Sequence, residues 1–312
     1  MLKKPKSSSF VAPCLLCAKS GSLGNPRYSF RFKDEFYAYY SCASCGTLNL
    51  SPLPSQETIK LLYSPEYHST HYDQPSNQSL FSPRLRFGLI HDMTLRTFLE
   101  NLPKTLSEMH LLDYGCGSSV FLKKAASKFR LASGIEFSPQ QVTKLSRDNP
   151  NINYFLPQDL DRIHDVDVIH IGDVLEHVDD PIKLTMKLYE CLKPGGYMLI
   201  SGPLENGFSL TTLISALYDH LKVFISASSI SSGHPYHLFK CNYYQFRVFI
   251  DKSLPDVQFV TEQIYETGWP YIDHTFPKSL IGSLSVFFSF IAPKAFCYGN
   301  RYMGLFRKPR IT

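Results

Sequence analysis

The 312-residue sequence has no apolar run of the roughly 20 residues that a bilayer-spanning helix needs, its longest uncharged apolar run being the 15 residues Ser279 to Pro293. A membrane span is therefore not expected. That stretch is read as a buried or cap helix, with contact at a membrane surface as the alternative. Strong charge of one sign is also missing. The net charge is +5, and the surplus sits at the ends, in LKKPK and RYMGLFRKPR, too dilute to mark a nucleic-acid binder. Internal repeats and low-complexity tracts are absent. Basic residues before FVAPCLLCA imitate a secretory leader, but the apolar core is short and holds Pro13, Cys14 and Cys17. These exclusions leave a chain that is 44% hydrophobic and 19% charged, long enough to bury a sizeable core. The expectation is a cytoplasmic protein with one large and one small domain.

Four of the eight cysteines carry a pattern. Cys14-Leu-Leu-Cys17 is followed after 24 residues by Cys42-Ala-Ser-Cys45-Gly46. That two-knuckle spacing sets four thiolates tetrahedrally around a structural zinc ion, and the aromatic-rich hairpin YSFRFKDEFYAYY between the knuckles would pack against it. A pair of disulfides, or a motif that has lost its metal, are the alternatives. Cys116, Cys191, Cys241 and Cys297 show no mutual spacing and are read as buried small residues.

In LLDYGCGSS, Leu111 to Ser119, an apolar run ends at Asp113 and enters a tight Gly115-Cys116-Gly117 turn. Glycines there let a backbone pass close to a ligand, and the helix that follows offers unpaired N–H groups. Glu136 lies 19 residues beyond Gly117, at the end of the next apolar run, where a carboxylate can grip both ribose hydroxyls. The dinucleotide fingerprint needs a third glycine at position 120, but valine stands there. The turn thus reads as an adenosyl pocket more than a pyrophosphate cradle. Apolar runs at 109–113, 131–136, 152–156, 166–171 and 197–201 alternate with helical segments, after a helix expected over Ser82 to Leu102. Such alternation gives a parallel sheet. A helix is expected over 181–192, capped by Asp180, begun by Pro181 and ended by Gly195 or Gly196. Val257 to Ile264 and Tyr302 to Phe306 would add an antiparallel edge.

Four segments together resemble the class I S-adenosylmethionine-dependent methyltransferases: LLDYGCGSS, GIEFSP (134–139), DVIHIGDVLEHVDDP (167–181) and LKPGGYMLISGP (192–203). One departure is Ser119, where the family usually places glycine. The resemblance implies an α/β, Rossmann-like, doubly wound seven-stranded sheet behind a small zinc ribbon. Residues 1–50 would form the ribbon, 51–81 a Pro- and Ser-rich connector, and 82–312 the methyltransferase domain, with a substrate cap within about 204–300. It further implies that Asp113, Gly115, Cys116 and Gly117 line the methionine end of S-adenosylmethionine and that Glu136 binds the ribose. Gln158 or Asp159 would face the adenine, and Gly172 and Asp173 would close the pocket. Capping or solvated surface roles are the plainer alternatives for the carboxylates.

The chemistry implied is in-line attack on a sulfonium methyl, in which the protein aligns the reactants and excludes water. His177 in LEHV is the leading general base and His237, in the His234-x-x-His237-x-Phe239 neighbourhood, the second. Structural roles are the alternative for each. Ubiquinone-pathway O-methyltransferases that resemble this segment pair its Glu and His with a divalent ion, which here would recruit Glu176, His177 and Asp180 around magnesium. The favoured acceptor is a small molecule: a sugar, a glycan precursor, or a quinone- or polyketide-like compound. An RNA methyltransferase is the second reading, disfavoured because between the knuckles only Lys19, Arg27, Arg31 and Lys33 are cationic and Asp34 and Glu35 partly balance them. A non-catalytic zinc-ribbon adaptor is the third.

Overall fold

The computed structural model describes residues 11–22, 26–62, 83–225, 231–232, 234–271, 276–292 and 297–310. The basic N-terminal run and most of the expected connector lie outside them. Strands β1 (Val11–Pro13) and β2 (Ser20–Ser22) pair around the first cysteine knuckle. β3 (Pro26–Phe32), β4 (Glu35–Ser41) and β5 (Leu48–Ser51) then form an antiparallel meander. Lys33, in the left-handed region at φ 51°, lets the chain reverse in two residues between β3 and β4. Alternation puts Phe30, Tyr37, Tyr39 and Leu50 on the buried face, where the rings of Phe30 and Tyr37 stack at 5.6 Å. α1 (Gln56–Leu62) follows, and then α2 (Pro83–Asn101), close to the expected helix.

The large sheet is built from β6 (His110–Tyr114), β7 (Leu131–Ile135), β8 (Asn153–Phe155), β9 (Val166–Gly172) and β10 (Leu192–Pro203). Between them run α3 (Val120–Ala126), α4 (Pro139–Asp148) and α5 (Pro181–Cys191). The chain continues through α6 (Leu210–Ile225), β11 (Ser231–Ser232), β12 (Phe239–Lys240), α7 (Tyr243–Ser253), β13 (Gln258–Tyr265), α8 (Lys278–Ile291) and β14 (Arg301–Arg307). The seven strands run in the order β13-β14-β10-β9-β6-β7-β8. β6 to β10 are mutually parallel, and β14 is antiparallel to both its neighbours. This is the doubly wound sheet with an antiparallel edge that the sequence implies. Its central strands are near-continuous Val, Ile and Leu because both faces are covered: Leu112, Ile169 and Ile200 enter one core, Leu111, Val168 and Leu199 the other.

Three local expectations are corrected. Gly195 and Gly196 do not end α5; the helix stops at Cys191 and β10 takes over from Leu192, with both glycines where its register against β9 shifts between Leu192 and Tyr197. The stretch read as a buried or cap helix is α8, but its buried residues are only Gly282 and Ser285, and its large apolar side chains face outward. Cys297 is half-buried, its Sγ beside the Tyr244 hydroxyl at 3.8 Å; the other three unpatterned cysteines are buried as expected.

The ribbon is not packed apart from the large sheet. β12 pairs antiparallel with β5 and β11 parallel with β3, so the cap region supplies both edges of the ribbon's sheet. Cys14, Leu16, Cys17 and Cys42 share one apolar core with Leu112, Ile169 and Ile200.

Candidate functional site

Gly115 and Cys116 both donate their backbone N–H to the carbonyl of Ile135, at 2.8 and 3.0 Å, tying the loop after β6 to the end of β7. Gly115 (φ 75°) has no room for a side chain, since a Cβ would stand 2.3 Å from Cγ2 of Val174. Gly117 (φ 53°) instead faces open space, with nothing within 4 Å of where its Cβ would be. Glu136 is buried beside it. Its carboxylate accepts the N–H of Gly117 and of Ser138, both at 3.0 Å. Ser119 occupies the left-handed region at φ 61°, which accounts for glycine being usual there, and its hydroxyl pairs with that of Tyr154 at 2.7 Å. Open space at Gly117 beside a fixed carboxylate suits the hydroxyls of a ribosyl group, which need an acceptor. Phe137, exposed immediately after Glu136, adds an aromatic face that the sequence reading left out.

The other expected cofactor residues are placed unevenly. Cys116 is buried under the turn, and burial pushes its thiol well above the ordinary range. Asp113 is also buried, accepting the Nδ1 proton of His170 at 2.7 Å. The ring of His170 fills the space beside Gly172, 2.8 Å from where a Cβ would be. Asp173 has φ 54°, and both its oxygens accept from Nη2 of Arg301 at 2.6 and 2.7 Å; burial alone would raise this carboxyl, but the guanidinium holds it below the usual range. Gln158 is exposed. Asp159 closes a short helical turn, accepting the N–H of Leu156 at 3.1 Å. His91 of α2, unforeseen from sequence, is held neutral near this floor, its imidazole pushed down to about 4 by burial and by His170.

At the ends of β9 and β10 a second cluster forms. The LEHV segment makes a single tight turn over Leu175–His177. The loop containing His237 is clamped onto it: Leu238 N–H donates to the Glu176 carbonyl at 2.6 Å, and His177 Nδ1 lies 2.7 Å from the Tyr236 carbonyl. The carbonyl can only accept, so Nδ1 carries the proton and Nε2 of His177 is the basic nitrogen. His177 and His237 meet edge to face at 4.9 Å. Burial and His237 push His177 down to about 4. Burial would do the same to His237, but the Glu205 carboxylate, 2.5 Å from its Nδ1, reverses the direction and raises it. Burial and the nearby Asp173 push Glu176 up to about 7. One ligand atom each from Glu176, His177 and His237 lies within 4.8 Å of the others. Asp180, expected among these ligands, is instead the cap of α5, accepting the N–H of Lys183 at 3.0 Å.

The ribbon reaches this cluster directly. Tyr39 donates its hydroxyl to the His237 carbonyl at 2.5 Å, Leu50 N–H donates to the Leu238 carbonyl at 2.8 Å, and Lys240 sits over the Tyr28 and Tyr39 rings at 5.4 and 5.1 Å. Glu205, Tyr39 and Lys240 carry no motif; only the fold brings them to His237.

The four patterned cysteines converge. Cys14 and Cys45 Sγ are 3.6 Å apart and Cys17 and Cys42 Sγ 3.7 Å. Zinc–thiolate bonds of about 2.3 Å at tetrahedral angles put sulfurs about 3.8 Å apart; these two pairs have that spacing, and all four sulfurs lie within 4.8 Å of one another, so the donor set suits zinc. Each knuckle turns on a left-handed residue in the same place, Ala18 (φ 56°) and Gly46 (φ 79°), and the Ser44 N–H points at Cys42 Sγ at 3.4 Å.

Residues 86–245, just over half the chain, match the family model described as a methyltransferase domain. A ubiquinone biosynthesis O-methyltransferase of Coxiella burnetii (strain Dugway 5J108-111) is 29% identical over 126 residues, covering 36% of this chain and 52% of that protein. One from Citrobacter koseri is 30% identical over 117 residues, covering 35% and 48%. This chain thus spans about half the length of the curated relatives it matches. Among solved structures, the [4+2]-cyclase SpnF superposes with a TM-score of 0.53 at 14% identity, over 83% of this chain and 99% of that one. The plantazolicin methyltransferase BamL, in complex with a triazolic desmethylPZN analog and SAH, gives 0.51 at 15% identity, over 81% and 95%. At these identities the likeness is one of fold.

Proposed function

The chain belongs to the methyltransferase-domain family, and from that premise we propose that it transfers a methyl group from S-adenosylmethionine to an oxygen or carbon of a small-molecule acceptor, with His237 as general base. The observation that carries this reading is the Glu205–His237 pair beside the family's LEHV turn. When bound, S-adenosylmethionine supplies a methyl on a good leaving group. The chain's residues then have to bind, align and deprotonate. Glu136 would accept the ribose hydroxyls, with Gly115, Cys116 and Gly117 giving the close backbone approach. Asp113 would lend negative charge at the methionine end, Gln158 and Asp159 would lie on the adenine side, and Gly172 and Asp173 would form the floor.

A carboxylate bonded to Nδ1–H holds an imidazole so that Nε2 is the basic nitrogen, and it stabilises the imidazolium formed when that nitrogen takes a proton. Glu205 does this for His237. His177, held near 4, is the weaker base. The order expected from sequence is thereby reversed: His237 removes the acceptor's O–H or acidic C–H proton, and His177 positions the loop through Tyr236. A divalent ion such as magnesium is a second reading, favoured by the convergence of Glu176, His177 and His237, and it would polarise the acceptor oxygen. A zinc ion held by Cys14, Cys17, Cys42 and Cys45 would be structural in either case.

Calorimetry with S-adenosylhomocysteine tests the proposal. Micromolar binding, about −8 kcal/mol, is expected, with Glu136→Ala weaker by about 1–3 kcal/mol through lost charge-assisted hydrogen bonds. A folded chain that gives no heat overturns it. Chelation that abolishes transfer while zinc stays in the ribbon would favour the divalent version.

A further inference from the structure

α8 is inside out. Its buried residues are Gly282 and Ser285, whereas Phe287 is 57% and Phe290 81% exposed, and Leu284 and Ile291 face solvent with them. α6, which packs against it, shows the same inversion: Thr211 is buried while Leu213 and Leu217 are exposed. Hydroxyl groups join the two helices. Thr211 N–H donates to Ser285 Oγ at 3.4 Å, and Ser285 Oγ also meets the Tyr298 hydroxyl at 3.0 Å. Small residues and hydroxyls between helices, with large apolar side chains outside, is how helices pack when their surroundings are hydrocarbon.

Length decides between spanning and lying flat. Fourteen residues in α8 and sixteen in α6 extend about 21 and 24 Å at 1.5 Å per residue, short of a hydrocarbon core of about 30 Å. Among the described residues no helix is long and apolar enough to cross a membrane. Charge decides the surface. Lys278 is exposed at the start of α8, whose other residues are all uncharged. A cation at the end of an apolar helical face suits anionic headgroups.

We infer that the packed pair α6 and α8 docks the protein on an anionic lipid bilayer, lying in the interface without crossing it. α6 begins at Leu210, and Phe208, just before it, packs edge to face on Tyr298 at 6.0 Å. Docking does not depend on the methyl-transfer reading.

The test is flotation of the full chain with phosphatidylcholine vesicles, with and without phosphatidylglycerol. The wild type is expected to float with phosphatidylglycerol vesicles and less with phosphatidylcholine alone. Phe287→Ser/Phe290→Ser should lower the partition at least about tenfold, since both rings would leave the acyl boundary. Lys278→Glu should lower only the phosphatidylglycerol-dependent part. Both variants change exposed residues, and unchanged S-adenosylhomocysteine binding and melting temperature would report an intact fold. Wild type that floats with neither vesicle overturns the inference. So does a concentration-dependent dimer that the double variant dissolves, for then a second copy covers this face. Loss of S-adenosylhomocysteine binding in a chain that still floats would count against methyl transfer alone.

Discussion

Glu205→Gln should move the titration of His237 toward acid by about one to two pH units. The carboxylate oxygen lies 2.5 Å from His237 Nδ1, and the two side chains are only 13% and 24% exposed, so solvent screens the pair little. A hydrogen bond between charged groups contributes about 1.5–3 kcal/mol, and one pH unit corresponds to about 1.4 kcal/mol, which gives the range. The direction is independent of that figure. In the wild type burial opposes the imidazolium and Glu205 outweighs it, raising His237 above its ordinary 6.5. Without the carboxylate's charge, burial, the largest influence, and Lys240 push down, and only Glu176 still pushes up. Nuclear magnetic resonance of ¹³C-labelled histidine, with the His237 signal assigned through His237→Asn, reads the value without any acceptor. The transfer rate should rise with pH through the same value, because the base acts deprotonated, and the limb should shift with it in the variant. Stability follows the same pair. His237, raised, stabilises fully below 6.5 and loses this as pH climbs through its folded value; Glu205, depressed, stabilises above 4.5 and loses this as pH falls through its own. The melting difference between wild type and variant should therefore peak between 4.5 and 6.5. A His237 signal that titrates at the same pH in both proteins would refute the reasoning.

Cys42→Ser should release the ribbon metal and, unlike a change in a detached module, disturb the His237 signal, because Tyr39 and Leu50 hold that loop; S-adenosylhomocysteine affinity should change far less. Metal analysis, histidine spectra and calorimetry check this together, and an undisturbed His237 in zinc-free protein counts against it. Gly117→Ala should lower stability by only about 1–2 kcal/mol, the left-handed backbone penalty, yet weaken S-adenosylhomocysteine because its methyl enters the open space beside Glu136. Gly115→Ala should cost clearly more in denaturant melts, since Val174 stands in its way; equal midpoints would contradict the packing.

The doubly wound sheet was legible because its signal is repeated: every central strand is an apolar run, and LLDYGCGSS and LEHVDDP each fix a strand end by local turn chemistry. The four cysteines were legible because knuckle spacing is a short-range geometric rule. Glu205 was not, since nothing in GPLENG distinguishes a carboxylate that will meet a histidine 32 residues later. Asp180 shows the converse. A cap and a ligand demand the same side chain, and the helix that starts at Pro181 claims it. For α8, apolar content alone predicts burial; only the three-dimensional placement of Gly282 and Ser285 tells which side faces in.

The pairing of β5 with β12 joins residues 48–49 to 239–240, and β11 does the same for β3. On the ribosome the N-terminal meander emerges with both lateral edges unpaired and waits for nearly two hundred further residues before they are covered. Open edges are templates for wrong partners, so early zinc capture by the knuckles would hold the nascent meander in register through that interval. Zinc supply during synthesis, and not only in the finished protein, should then govern how much of the chain escapes aggregation.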